Sequence, residues 1–171
     1  MKKLLVVASA LCLVVSISAS PSGAYTPPPS SSGGSSHEQA PPEMSFYNDG
    51  VKLLLKKKFA EARTQFEAAL AINPKMAEAH NNLAYILRRQ DAKNNELSLA
   101  HYNLALELKP KLAEAYMYRG ALHYFMGHRE LAQADYEMLV KLKSKLAPHL
   151  KLILDTGKEE ELDKLYGVVR K

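Results

Sequence analysis

From residue 43 onward, apolar side chains recur every three or four positions in short blocks, each closed by a proline, a glycine or a polar cluster. Met44, Tyr47, Val51, Leu54 and Leu55 share one face of a helix predicted over 43–56. The lysine turn 56–58 follows, and the helix predicted over 59–72 faces back with Ala62, Phe66, Ala69 and Leu70. Gly50 sits in mid-helix, at about 1 kcal/mol relative to alanine. That choice makes sense where the partner helix comes close. Further helices are predicted over 77–89 and 96–108, separated by the polar stretch 91–95, and over 112–126 and 129–142. Gly127 stands where a helix ends in the left-handed conformation. Pro148 fits the first turn of a short helix over 148–154, because its missing N–H would be unpaired there anyway. Thr156-Gly157-Lys158-Glu159 reads as a capping box opening a last helix over 159–166. The pattern predicts an all-α fold.

The blocks also repeat. Asn73-Pro74-Lys75-Met76-Ala77-Glu78-Ala79 returns as Lys109-Pro110-Lys111-Leu112-Ala113-Glu114-Ala115, and Pro110 lies 36 positions after Pro74. A period of this size marks helical hairpins that must stack to bury their apolar faces. The first unit reads Phe46, Gly50, Leu53, Phe59, Ala62, Phe66, Ala69, Leu70, Pro74. The second reads His80, Leu83, Ala84, Leu87, Ser98, Tyr102, Ala105, Leu106, Pro110. The third reads Tyr116, Gly120, His123, Gly127, Ala132, Tyr136, Leu139. Each unit resembles a tetratricopeptide repeat (TPR). The resemblance implies an α-solenoid of three tetratricopeptide-like hairpins (43–76, 77–112, 113–144) with C-terminal capping helices over 145–171. Leu150, Leu152, Leu162 and Leu165 are expected on the end of the stack. The third unit departs from the pattern with Arg119 in place of a leucine, Leu139 in place of an alanine and Ser144 in place of the closing proline. The second carries about two extra residues between Gln90 and Asn95.

The resemblance further implies that the first helix of each hairpin lines a concave groove receiving a protein or extended peptide. On this chain the groove would hold Tyr47, Asn48, Val51, Leu54 and Leu55 from the first repeat. The second would give Asn81, Asn82, Tyr85, Arg88 and Arg89, and the third Met117, Tyr118, Ala121, Tyr124 and Phe125. The residue types suit the task. Asparagine both donates to and accepts from a peptide backbone, aromatic and methionine side chains anchor apolar groups, and arginine forks onto a carboxylate. Some relatives grip a terminal carboxylate with a fixed set of Lys, Asn and Arg. Here only Asn82 fits that set, the other positions holding Tyr47, Val51, Glu114 and Tyr118, so a clamp of that type is not expected.

Composition separates the N-terminal quarter from the rest. Met1-Lys2-Lys3, the apolar run to Val15 and the small residues to Ala24 have the three parts of a secretory signal peptide. Cleavage is expected before Tyr25, with Ala19 as the alternative end. The Pro/Ser/Gly-rich stretch 25–42 reads as a disordered linker. These features predict export to a bacterial periplasm or beyond the cell, with no membrane insertion once the signal is removed. The formal charge of +5 is small and interspersed with acids, which argues against nucleic acid. Cys12, the sole cysteine, lies inside the signal-like run, so neither a disulfide nor a thiolate metal site is expected. His80, His101, His123, His128 and His149 are scattered in sequence and read as packing or surface residues. No catalytic motif is found, and no cofactor or metal is expected. The sequence therefore suggests a non-enzymatic scaffold or assembly factor, with a self-associating structural module, a homodimer, as the alternative.

Overall fold

The computed structural model describes residues 41–159. The chain divides into Met1–His37 and Glu38–Lys171, and every described residue falls in the second unit. The signal-like segment, nearly all of the linker, and Leu162 and Leu165 of the expected cap lie outside the described residues.

Six helices form three antiparallel hairpins: α1 (Pro42–Leu55) with α2 (Phe59–Ile72), α3 (Ala77–Gln90) with α4 (Asn95–Leu108), and α5 (Ala113–Phe125) with α6 (Arg129–Lys141). A seventh, α7 (Ala147–Thr156), packs on α5 and α6. The boundaries agree with the predicted ones to within two residues, the usual fraying. The longer second connection holds a 3-10 turn, Ala92–Asn94, stabilised by Asp91 accepting from the Lys93 N–H at 2.9 Å.

The turns explain how successive helices fold back. Lys57 (φ 58°) and Gly127 (φ 85°) occupy the same left-handed position after α1 and α5. In each case the next N–H reaches back over the helix end, Lys58 to the Leu53 carbonyl at 3.0 Å and His128 to the His123 carbonyl at 2.9 Å. The starts of α3 and α5 are also built alike. His80 Nε2 donates to the Pro74 carbonyl at 2.9 Å, and the Tyr116 hydroxyl donates to the Pro110 carbonyl at 3.2 Å. Two unlike side chains at equivalent positions thus tie each inter-hairpin turn to the helix that follows.

Small residues set the spacing. A Cβ on Gly50 would lie 2.9 Å from the Phe66 ring. The close neighbour at Gly50 is therefore a ring on the partner helix, not its backbone. A Cβ on Gly120 would lie 2.6 Å from a Leu150 methyl and 3.0 Å from Asp135 Cβ. Leu150 fills that notch, and with Ile153 it is fully buried against the last hairpin. Leu152, expected beside them, points to solvent instead at 38% exposure. On a helix, residues 150 and 153 share a face that 152 does not.

Two further expectations are corrected. Thr156 does not open a capping box. It is the last residue of α7, its hydroxyl donates to the Leu152 carbonyl at 2.7 Å and accepts from Lys158 N–H, and left-handed Gly157 ends the helix. The histidines are not scattered in space. His80 and His101 meet across the second hairpin with their Nδ1 atoms 3.0 Å apart, and the turn at Gly127 brings the His123 and His128 rings to 5.8 Å. Arg119, the departure from the leucine pattern, has a partner. Its guanidinium forks onto buried Asp135 of α6 at 3.0 and 2.6 Å and reaches Asn103 of α4 at 2.7 Å.

Candidate partner groove

α3 is the middle helix of the stack, flanked by α2, α4 and α5. Every residue from Ala77 to Leu87 except Glu78 is buried, polar Asn81 and Asn82 included. Ala84, Leu83 and Leu87 belong to the apolar core. The same helix turns a second face, carrying Asn81, Asn82, Tyr85 and Arg88, toward the side lined by the first helices.

On that face the Tyr85 and Tyr118 rings lie 5.0 Å apart, tilted by 57°. The Arg88 guanidinium sits 5.1 Å from the centre of the first ring and 5.8 Å from the second. A cation over two π faces is held by their quadrupoles, more strongly away from water. Arg88 also forks onto the Glu159 carboxylate, through Nη1 at 3.2 Å and through a closer Nη2 contact. The Arg88 side chain is only 6% exposed and that of Glu159 14%. Burial works against the guanidinium charge, and Tyr102 together with Glu159 outweighs it, so the pKa of Arg88 is raised. Burial in turn keeps the Tyr102 hydroxyl protonated well above its ordinary range. The Asn81 side-chain amide donates to Asn82 Oδ1 at 3.2 Å, while its own Oδ1 and the Arg88 Nε are buried without hydrogen-bond partners.

Beside this cluster opens a cavity of about 310 Å³, lined by Arg88, Arg89, Asn95, Leu122, Phe125 and Glu159 among others. It presents two arginines, a carboxylate and apolar walls, the combination that binds an amphipathic or acidic segment.

The candidate residues divide. Asn81, Asn82, Tyr85, Arg88 and Tyr118 come together at α3 and α5, and Arg89 and Phe125, both exposed, complete the cavity rim. Met117 is 1% exposed and serves the core instead. Ala121, wholly buried, does the same. Val51 is likewise core, and Tyr47 rests its ring on Phe66 at 5.7 Å inside the first hairpin. Leu54 is buried, whereas Leu55 and Asn48 face solvent. Tyr124 faces the far side of α5, with Arg129 of α6 4.8 Å above its ring, and lines a separate hollow with Glu130, Gln133 and Leu154. Sequence reasoning missed Glu159 and Leu122. The only available signal for Glu159 was a buried arginine in need of an acid, and the chain offers many acids.

Among the described residues no group of three or more His, Cys, Asp or Glu side chains is arranged to hold a metal ion, and no helix is long and apolar enough to cross a membrane.

No protein-family model matches the chain. Human Tetratricopeptide repeat protein 6 is 30% identical to it over 96 residues, which make up 56% of this chain and 18% of that protein. The chain therefore spans about a fifth of that relative's length. Among solved structures, the Sgt2 TPR domain of Aspergillus fumigatus superposes with a TM-score of 0.60 at 18% identity, over 77% of this chain and 84% of that one. The first TPR domain of Spaghetti (RPAP3), bound to an HSP90 peptide, gives 0.59 at 22% identity, over 67% and 91%. The Arabidopsis OM64 TPR domain gives 0.59 at 19%, over 68% and 96%. The hairpin stack is a helical-repeat solenoid with the fold of tetratricopeptide-repeat domains. The expected fold class and resemblance hold.

Proposed function

We propose that this chain is an exported scaffold or assembly factor that binds a protein segment in the groove on α3 and α5. The observation that carries the reading is the Arg88–Tyr85–Tyr118 cluster beside a cavity rimmed by Arg89 and Phe125. A structurally similar domain was solved with an HSP90 peptide, which supports peptide binding as the use of such a groove. Fold alone does not fix function, so the weight rests on the cluster. The partner's chemistry follows from the lining. A carboxylate suits the arginines, an apolar side chain suits Leu122 and Phe125, and the unpaired Asn81 oxygen suits a backbone N–H.

Export rests on the signal-like segment 1–24. Mass spectrometry of the mature protein checks it, with a chain beginning at Tyr25 expected and an intact Met1 contradicting it. Groove binding is checked by affinity capture from envelope extracts, with the full chain beside an R89E/F125A double variant. Both residues are exposed, so the helical signal stays unchanged. A partner held by the parent and lost by the variant bears out the groove, and equal capture by both refutes it. The homodimer alternative predicts a doubled mass in light scattering, and exposed Leu131 and Val140 on α6 are the apolar groups such a contact would cover.

A further inference from the structure

We propose that His80 and His101 form a two-nitrogen binding site for one divalent transition-metal ion of the class that prefers imidazole, Cu²⁺ or Zn²⁺. The site lies between α3 and α4 and does not depend on the groove reading above.

Three observations carry it. The first is the approach of the two rings. His80 Nδ1 and His101 Nδ1 stand 3.0 Å apart, while the ring centres are 5.2 Å apart, so the two nitrogens face each other. A tetrahedral ion with metal–nitrogen bonds of about 2.0–2.1 Å holds two such donors roughly 3.3 Å apart. The pair needs to open by only a few tenths of an ångström, and His101 is the less buried of the two rings.

Second, His80 is already set as a ligand. Its Nε2 donates to the Pro74 carbonyl at 2.9 Å, which leaves Nδ1 without a proton. A backbone carbonyl on the far ring nitrogen is the usual orienting contact of a metal-bound histidine. His101 need not lose a proton either. Moving its proton from Nδ1 to Nε2 bares the second donor.

Third, the fold does not require a histidine at either place. Counting back from Gly50, Ala84 and Gly120, the other two repeats place Phe46 and Tyr116 where His80 stands. Counting back from Phe66, Tyr102 and Tyr136, they place Gln65 and Asp135 where His101 stands. Tyr116 ties its own turn to the Pro110 carbonyl at 3.2 Å, so a tyrosine suffices for the turn contact. What histidine adds at position 80 is a second nitrogen, in the one repeat that also has His101.

The charges that face His101 from α2 are Glu67 and Arg63, bonded to each other at 2.7 Å. They offset one another, so the site meets no net charge from that side. Water completes the coordination, and affinity follows the order of divalent ions on nitrogen ligands, Cu²⁺ above Zn²⁺, with Mg²⁺ excluded. A bound ion clips the first turn of α3 to α4 in the middle repeat.

The test is isothermal titration of Cu²⁺, Zn²⁺ and Mg²⁺, each separately, into the full chain beside H101Q and H80Y. H80Y copies Tyr116, keeping the turn contact while removing the nitrogen. Circular dichroism checks that each variant is folded. The parent is expected to bind a single Cu²⁺ saturably, Zn²⁺ about tenfold more weakly and Mg²⁺ not at all, with a melting temperature that rises with Cu²⁺ or Zn²⁺. Each variant is expected to lose at least about tenfold in affinity together with that rise, whereas H128Q, outside the pair, keeps both. Electron paramagnetic resonance of the Cu²⁺ form is expected to show two nitrogen donors, and it decides on the parent alone should the variants unfold. Absence of saturable binding overturns the proposal. So does an affinity that either substitution leaves unchanged, or a spectrum without a pair of nitrogens.

Discussion

Arg119 on α5 and Arg88 on α3 both fork onto a carboxylate and both stand beside tyrosine rings, yet their partners lie in different places. Asp135 is on α6, 16 positions away in the same hairpin, and is almost wholly buried. Glu159 lies 71 positions from Arg88, beyond the last helix of the stack. The first pair replaces a leucine contact of the repeat with an ionic one and locks a hairpin that exists anyway. The second joins the groove to the stretch just after α7, next to a cavity into which water can follow when the pair parts. The difference shows that a buried ion pair has no fixed meaning. Its role depends on whether the surrounding structure survives its separation.

Breaking the first pair has the largest expected effect. D135A strands a guanidinium held by α4, α5 and α6, and a loss of about 3 kcal/mol in urea unfolding is expected. Next comes G120A, whose Cβ would meet Leu150 at 2.6 Å and Asp135 Cβ at 3.0 Å. Overpacking there is expected to remove about 2 kcal/mol. Adding L150A should recover part of the loss if the contact with α7 is its source, and thermal melts of the three proteins check this.

Acid sharpens the comparison on a smaller scale. His80 Nε2 faces a carbonyl, which only accepts, so the neutral His80 ring offers Nδ1 as acceptor and His101 donates to it. Protonating both rings would set two N–H groups against each other at 3.0 Å. Burial lowers the pKa of His101, and the neighbouring His80 lowers it further; burial lowers that of His123 as well. Both values lie below those of the unfolded chain. The unfolded state therefore takes up protons first, and stability is complete above about pH 6.5 and falls as pH drops from there through the folded values. H101Q should flatten the fall of melting temperature between pH 7 and 5. The smallest effect belongs to the exposed Lys109–Glu78 pair, 2.5 Å apart. K109A should change stability by less than about 0.5 kcal/mol and lose even that in high salt.

The repeat fold was legible because its signals are local. The recurring proline and A-E-A segment, the glycines at 50, 120 and 127 and the apolar spacing each act within one hairpin or between neighbours. The site was legible only in part. Residues 81, 82, 85, 88 and 118 come together on one face because they follow the repeat register. Tyr124 lines a different hollow, because the register gives a helix position but not what α6 and α7 lay over it. Glu159 was invisible because its partner is decided by how the chain leaves α7, through the φ of Gly157, and helical periodicity says nothing of that. The histidine pairs were missed for the same reason: their contacts cross between helices or follow a turn.

The most direct measurement is urea unfolding of E159Q beside D135A and the parent. If the Arg88 pair is a releasable contact, E159Q should lie within about 1 kcal/mol of the parent with an unchanged slope, because Arg88 regains water when Glu159 leaves. A loss matching that of D135A would make Glu159 a strut of the fold and would contradict the division drawn between the two arginines.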